Sequence, residues 1–208
     1  MNEIGFIGDI HGCIDELDEL VAAASPRASH LVFLGDYVNR GPHSREVIDF
    51  LIRLQRTREI STSFVMGNHD QAFLDALVGD GFDSFLRIGG AATVVSYVGT
   101  PRSDVLSQLR ESVPSGHVDF LNSLANRRVL DGVVAEHERP AREVNQTDNG
   151  AERFAIYGHS PQRSRRPLIE RNQAFIDTGC GTLPNGRLTC LFWPSLTWIQ
   201  SKPCNLLQ

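Results

Sequence analysis

Two periods of hydrophobic spacing take turns along this chain. Residues 4–7 form a short apolar run, and Ile14, Leu17, Leu20, Val21 and Ala24 then recur at helical spacing. Asp15, Glu16, Asp18 and Glu19 lie between them, which predicts an amphipathic helix with a solvated acidic face, ended by Pro26. Residues 31–34 predict a buried strand. Ser44 reads as an N-cap, and Val47, Ile48, Leu51 and Ile52 as the inner face of a second helix. Residues 62–66 predict a third strand. The first seventy residues therefore read β-α-β-α-β, which implies parallel strands and right-handed crossovers. Helical patterns follow over residues 70–78, 91–98, 103–111 and 117–125, interrupted at Gly89-Gly90, with His117 expected at the surface or at a cap. Residues 128–130 and 133–137 flank Asp131-Gly132, a favoured two-residue turn, and predict a hairpin. Residues 138–152 are almost without apolar side chains and predict a solvated loop. Strand patterns return at residues 154–157, 174–176, 187–193 and 196–200. This half is expected to be β-rich and mostly antiparallel, so that two facing sheets with helices outside bury both strand sets.

Where the apolar runs stop, the same kinds of polar residue appear. Gly8-Asp9-Ile10-His11-Gly12 follows the first run, and Gly35-Asp36-Tyr37-Val38-Asn39-Arg40-Gly41 follows the second. Gly67-Asn68-His69-Asp70 follows the third, and Tyr157-Gly158-His159-Ser160-Pro161 follows residues 154–156. Open α/β sheets bind ligands at the carboxyl ends of their strands. Asp, His and Asn together suit a divalent metal of intermediate hardness.

Composition narrows the classes. The 208 residues predict one domain, 1–208, with a helical region at about 70–126. A net charge of -5 argues against a nucleic-acid-binding surface. No apolar run reaches the length of a membrane span, and the chain enters its first strand without a signal-peptide pattern. Cys13, Cys180, Cys190 and Cys204 have no C-x-x-C pairing and read as reduced thiols, consistent with a cytoplasmic protein.

The four strand-end motifs resemble those of the metallophosphoesterase superfamily, and within it the phosphoprotein phosphatase branch, with its GDxHG, GDxVDRG, GNH-Glu/Asp and GHxP sequences. That branch includes bacterial and phage Ser/Thr protein phosphatases and symmetrical diadenosine tetraphosphate hydrolases. The resemblance implies a four-layer α/β/β/α sandwich with two mixed sheets and a helical cap over about 70–126. It also implies two divalent metal ions, Mn, Fe or Zn. Asp9 and His11 would hold one, Asn68 and His159 the other, and Asp36 would bridge them. Arg40 would clamp phosphate oxygens, and His69 would protonate the leaving oxygen. For Asp70, helix capping and a catalytic part stand level.

Two departures stand out. Asn39 occupies a position where the family has Asp, so the partner of His69 brings no charge. The family's further histidine ligand has its counterpart in His137 or, one position earlier, Glu136; a strand of period two can turn only one of them inward. A second phosphate-binding arginine has Arg139, Arg142 and Arg153 as candidates, and Arg163, Arg165 and Arg166 form a basic cluster. The implied function is two-metal hydrolysis of phosphomonoesters, including protein phosphoserine or phosphothreonine. Diadenosine tetraphosphate hydrolysis is the alternative, and a degraded enzyme kept as a metal-binding or protein-binding module is the alternative from another class.

Overall fold

The computed structural model describes residues 3–57, 59–141, 147–148 and 151–204. The chain opens with β1 (Glu3–Ile7), α1 (Ile14–Ala24), β2 (Ala28–Phe33), α2 (Ser44–Thr57) and β3 (Ser61–Phe64). β1, β2 and β3 pair in parallel, as the alternation of periods requires. A helical region follows: α3 (Asn68–Val78), α4 (Phe82–Phe85), a π-type turn over Leu86–Gly90, α5 (Ala91–Val98), α6 (Val105–Ser112) and α7 (Ser115–Asn122).

The second half holds β4 (Arg127–Leu130), β5 (Val133–Glu136), β6 (Thr147–Asp148), β7 (Ala151–Glu152), β8 (Phe154–Tyr157), β9 (Leu168–Ile169), β10 (Gln173–Phe175), β11 (Thr189–Trp193) and β12 (Trp198–Gln200). Two five-stranded mixed sheets result, in the orders β12-β11-β1-β2-β3 and β4-β5-β8-β10-β9. Pairing in this half is mostly antiparallel, as expected, with β5, β8 and β10 as a parallel exception. β4 and β5 are joined by a tight turn, and β9 and β10 by a short one. The connections from β5 to β8 and from β8 to β10 are long enough to cross over, which parallel neighbours need.

Phe6, Val32, Leu34 and Leu191 of the first sheet and its edges meet Val133, Ala135, Phe154, Ile156 and Ala174 of the second in one apolar layer. The other face of the first sheet, with Ile7, Leu31, Phe33 and Phe192, packs on helix residues such as Leu17, Leu20, Val47, Phe73 and Phe120. Val134, Ala155 and Tyr157 with Phe175 form a small cluster on the second sheet that includes no helix residue. His117 is buried, not at the surface: the Tyr97 hydroxyl donates to its Nδ1 at 2.8 Å, and its Nε2 donates to Asp49 at 3.0 Å. α7 lays this ring against α5 and α2, and both ring nitrogens are satisfied there. No described helix is long and apolar enough to cross a membrane.

Candidate metal centre

The carboxyl ends of six parallel strands, three from each sheet, point to one place. β1 leads to Asp9 and His11, β2 to Asp36, Asn39 and Arg40, and β3 to Asn68 and His69. β5, β8 and β10 lead to His137, His159 and Asp177. The turns are strained. His11, Asp36, Asn39, Arg40 and His159 all have positive φ, and they make up five of the nine non-glycine residues with positive φ among those described. Each such residue costs about 1–3 kcal/mol and persists only where its surroundings over-determine it. Asp70 supplies part of that determination. Its carboxylate accepts from the N–H groups of Asp36 (2.8 Å), Tyr37 (2.9 Å) and Gly67 (3.1 Å). Asp70 is thus fully engaged in holding two turns together.

Gly67 and Gly158 are required by close approach. A Cβ on Gly67 would collide with the Asp36 backbone and carboxylate, and one on Gly158 with the Asp9 carboxylate.

The period of β5 decides between Glu136 and His137. Val133 and Ala135 face the layer between the sheets, and Val134 faces away. His137 continues the inward series without a bulge and is 5% exposed. Glu136 continues the outward series and lies 3.5 Å from Arg127.

Asp36 stands at the middle. Its Oδ2 is 3.6 Å from His11 Nε2 and 3.9 Å from His69 Nε2, while its Oδ1 is 3.4 Å from His137 Nε2. Asn68 Oδ1 lies 2.9 Å from both His137 Nε2 and His159 Nδ1, and those two ring nitrogens are 3.2 Å apart. The donor atoms thus form two groups that share Asp36: His11, Asp36 and His69, and Asp36, His137 and His159. Asp9 is buried beside them, and both its oxygens receive the His159 backbone N–H at 3.1 Å.

The protonation pattern tests whether these residues suit cations. His11 Nδ1 donates to the Val38 carbonyl (3.0 Å) and His137 Nδ1 to the Leu34 carbonyl (2.8 Å). A carbonyl only accepts, so each Nε2 carries a lone pair into the cluster. His137 Nε2 therefore faces the Asn68 oxygen as acceptor against acceptor, an arrangement that a shared cation makes favourable. Burial lowers the pKa of His11 to about 4 and moves His69 and His137 downward, toward the neutral form that binds metal. Burial, then Asp177 and Asp36, pushes the Asp9 carboxyl well up. Burial also pushes Asp36 up, but His137, His11 and His69 outweigh it and hold this carboxyl below its usual value. Neutral imidazoles and mutually repelling buried carboxylates are a donor set that fits divalent cations.

Asp177 was missing from the sequence reading. It is 1% exposed; one oxygen accepts from Gly179 N–H at 2.9 Å, and the other has no partner. Burial first, and the Asp36 charge among the other causes, raises its pKa to about 6. Its signal was the Asp-Thr-Gly turn after an apolar run, the same pattern that marks Asp9 and Asp36.

Asn39 and Arg40 are held by the helical region. The Asn39 oxygen accepts from the Thr93 hydroxyl (2.8 Å), and its amide nitrogen faces His69 Nδ1 (3.0 Å). Asn39 therefore meets the ring as a donor, with its oxygen turned to Thr93. The Arg40 N–H donates to the Gly89 carbonyl within the π-type turn, and its Nη2 lies 3.3 Å from His69 Nε2. Arg165 is not directed here. Its guanidinium donates to the carbonyls of Pro184 and Arg163. Arg142 lies outside the described residues.

This chain belongs to the Calcineurin-like phosphoesterase family, which residues 3–174 match. It is a metallophosphoesterase, a hydrolase, and members of the family use a dinuclear metal centre. It is 28% identical over 235 residues to a bis(5'-nucleosyl)-tetraphosphatase PrpE [asymmetrical] of Halalkalibacterium halodurans, covering 95% of this chain and 92% of that one. It is 32% identical over 175 residues to a symmetrical bis(5'-nucleosyl)-tetraphosphatase of Aromatoleum aromaticum, covering 78% of this chain and 59% of that one. Its fold matches the crystal structure of a candidate diadenosine tetraphosphatase with a TM-score of 0.65 and 23% identity, covering 99% and 95% of the two chains.

Proposed function

We propose that this metallophosphoesterase cleaves a phosphoanhydride bond of a dinucleoside polyphosphate. The observation that carries this choice is the contact between Asn39 and His69. A neutral amide that donates to Nδ1 gives the imidazolium no support, and burial already lowers the ring's pKa. His69 is then a weak general acid near neutral pH. A nucleotide phosphate leaves well without a proton, whereas a serine alkoxide does not. The near full-length similarity to a tetraphosphatase supports the same choice.

In this reading Asp9 and His11 hold one divalent ion and Asn68, His137 and His159 the other, with Asp36 between them; mixed oxygen and nitrogen donors suit Mn²⁺, Fe²⁺ or Zn²⁺. Bound there, the two ions would supply an activated water and neutralise phosphoryl oxygens. Arg40 is exposed, and among the described residues no carboxylate pairs with it, so its planar fork, 3.3 Å from His69 Nε2, can turn to phosphate. His69 shares its proton with the departing oxygen, and the unpartnered oxygen of Asp177 accepts a hydrogen bond from entering water.

One observation favours the phosphomonoester reading. A cleft of about 470 Å³ beside Asn68 and His137 is lined by Met66, Gln71, Asn126 and Glu138 and, among the described residues, by no Phe, Tyr or Trp side chain. Apart from the His137 ring, which the metal reading already uses, a purine has no aromatic face to stack on there.

The test compares nucleotide release from diadenosine tetraphosphate with phosphate release from a phosphoserine peptide, using one metal-loaded preparation. The expected result is a higher kcat/KM for the dinucleotide. AMP plus ATP, or ADP alone, reports which bond is cut. A faster phosphopeptide reaction would reverse the assignment, and no turnover of either substrate or of an aryl phosphate would favour the degraded module.

Arg40→Ala is expected to lower kcat/KM by about 10²-fold, the size of losing one charged stabiliser of a developing anion. Thermal melting should barely change, because the side chain is exposed. Full activity in the variant would place the phosphate on another arginine.

A further inference from the structure

Away from the Asp36 cluster, three cysteines meet in the core. Cys13, Cys180 and Cys204 are buried, and their sulfurs lie within 4.8 Å of one another. The Cys13 and Cys204 sulfurs are 3.0 Å apart although 191 positions separate the residues. Each comes from a different part of the fold. Cys13 immediately precedes α1, Cys180 follows the Asp177-Thr178-Gly179 turn, and Cys204 ends the described segment after β12. Glu16 lies one turn along α1 from Cys13.

We propose that Cys13, Cys180 and Cys204 form a three-sulfur structural site for a zinc-type divalent cation, distinct from the dinuclear centre.

Three sulfurs match the donor type of a tetrahedral structural zinc site and leave its fourth position to an oxygen donor. Bonds of about 2.3 Å to zinc put tetrahedral sulfurs about 3.8 Å apart, between the 3.0 Å of the Cys13–Cys204 pair and the 4.8 Å that bounds all three. A disulfide would use two of the sulfurs and leave Cys180 without a part. On binding, the three thiols give up their protons to solvent.

The position gives the site a purpose. A Cβ on Gly181 would strike His11 and come within 3.3 Å of the Cys13 sulfur. The cation would therefore fasten the C-terminal segment to the turns that carry His11 and Asp177. Cys190, also buried, is not part of the group.

Cobalt(II) is the probe, because only sulfur ligands give sulfur-to-cobalt charge-transfer absorption in the near ultraviolet. The full chain loaded with cobalt should show this band, and elemental analysis of zinc-loaded protein should show one equivalent beyond those of the Asp36 cluster. Cys180→Ser and Cys204→Ser should each lose the band and that equivalent, whereas Asp36→Asn should keep both. The wild-type spectrum requires no variant to fold. Absence of the band from the wild-type protein would overturn the proposal. So would a Cys13–Cys204 disulfide in zinc-loaded protein purified under reducing conditions, or thiols that react equally fast with and without zinc.

Discussion

Asp36→Asn is expected to remove most bound metal and nearly all hydrolysis. The two oxygens of Asp36 face different imidazoles: Oδ2 turns to His11 at 3.6 Å and Oδ1 to His137 at 3.4 Å. An amide of the same size can offer an oxygen to only one side and brings no charge to either. The fold has other supports at this position. Asp70 holds the N–H groups of Asp36 and Tyr37, and an amide oxygen can still accept the His69 N–H that Oδ1 now receives at 3.0 Å. The metal-free variant should therefore melt with the metal-free wild type. Metal stoichiometry at the Asp36 cluster should fall from two ions, and kcat by more than about 10³-fold, since water activation and charge neutralisation are lost together. Elemental analysis showing both ions retained in Asp36→Asn would refute its bridging position.

His69→Gln should separate substrates by their leaving groups. The His69 ring is 4% exposed, with Nδ1 beside the Asn39 amide and Nε2 beside Arg40 and Asp36. Burial depresses its pKa, Asp36 opposes that, and Arg40 adds to it. General acid catalysis is worth about 10²–10⁴-fold where a proton is needed. Because His69 is a weak acid, the loss should fall short of that range for alkyl phosphates, and it should shrink toward nothing for an aryl phosphate or a nucleotide anhydride. Asn39→Asp should act in the opposite direction. A carboxylate in place of the amide accepts Nδ1–H and stabilises the cationic ring, so alkyl phosphates should gain most. The measurement is kcat across a leaving-group series at fixed metal occupancy. A uniform loss in His69→Gln would make the ring a phosphate-binding group and not the acid, and no gain in Asn39→Asp would leave the amide without a part in limiting turnover.

The helical region has a specific part in holding the site. It contributes Thr93, which orients Asn39, and Gly89, whose carbonyl holds the Arg40 backbone. A π-type turn at that contact fits the tendency of such turns to occur at functional sites. Neither contact was readable in the chain, because 54 positions separate Thr93 from Asn39.

What the sequence determined by itself was local. An apolar run followed by Gly-Asp-x-His or Gly-Asn-His joins a strand to its polar end through covalent neighbours, so period and turn chemistry place Asp9, His11, Asp36, Asn68 and His159 at strand ends. The same logic supplied the β-α-β-α-β start and the Asp131-Gly132 hairpin. Tertiary structure decided whatever depends on which distant groups meet. It turned His137 inward, because β5 pairs in parallel with β8 at one register and period two then sends Glu136 to the other face. It chose which end of the Asn39 amide meets the ring, since that choice belongs to Thr93. It brought Asp177 beside Asp36, and it gathered Cys13, Cys180 and Cys204 from three separate segments. A side chain's chemistry is written in the chain, but its partner is set by packing across both sheets.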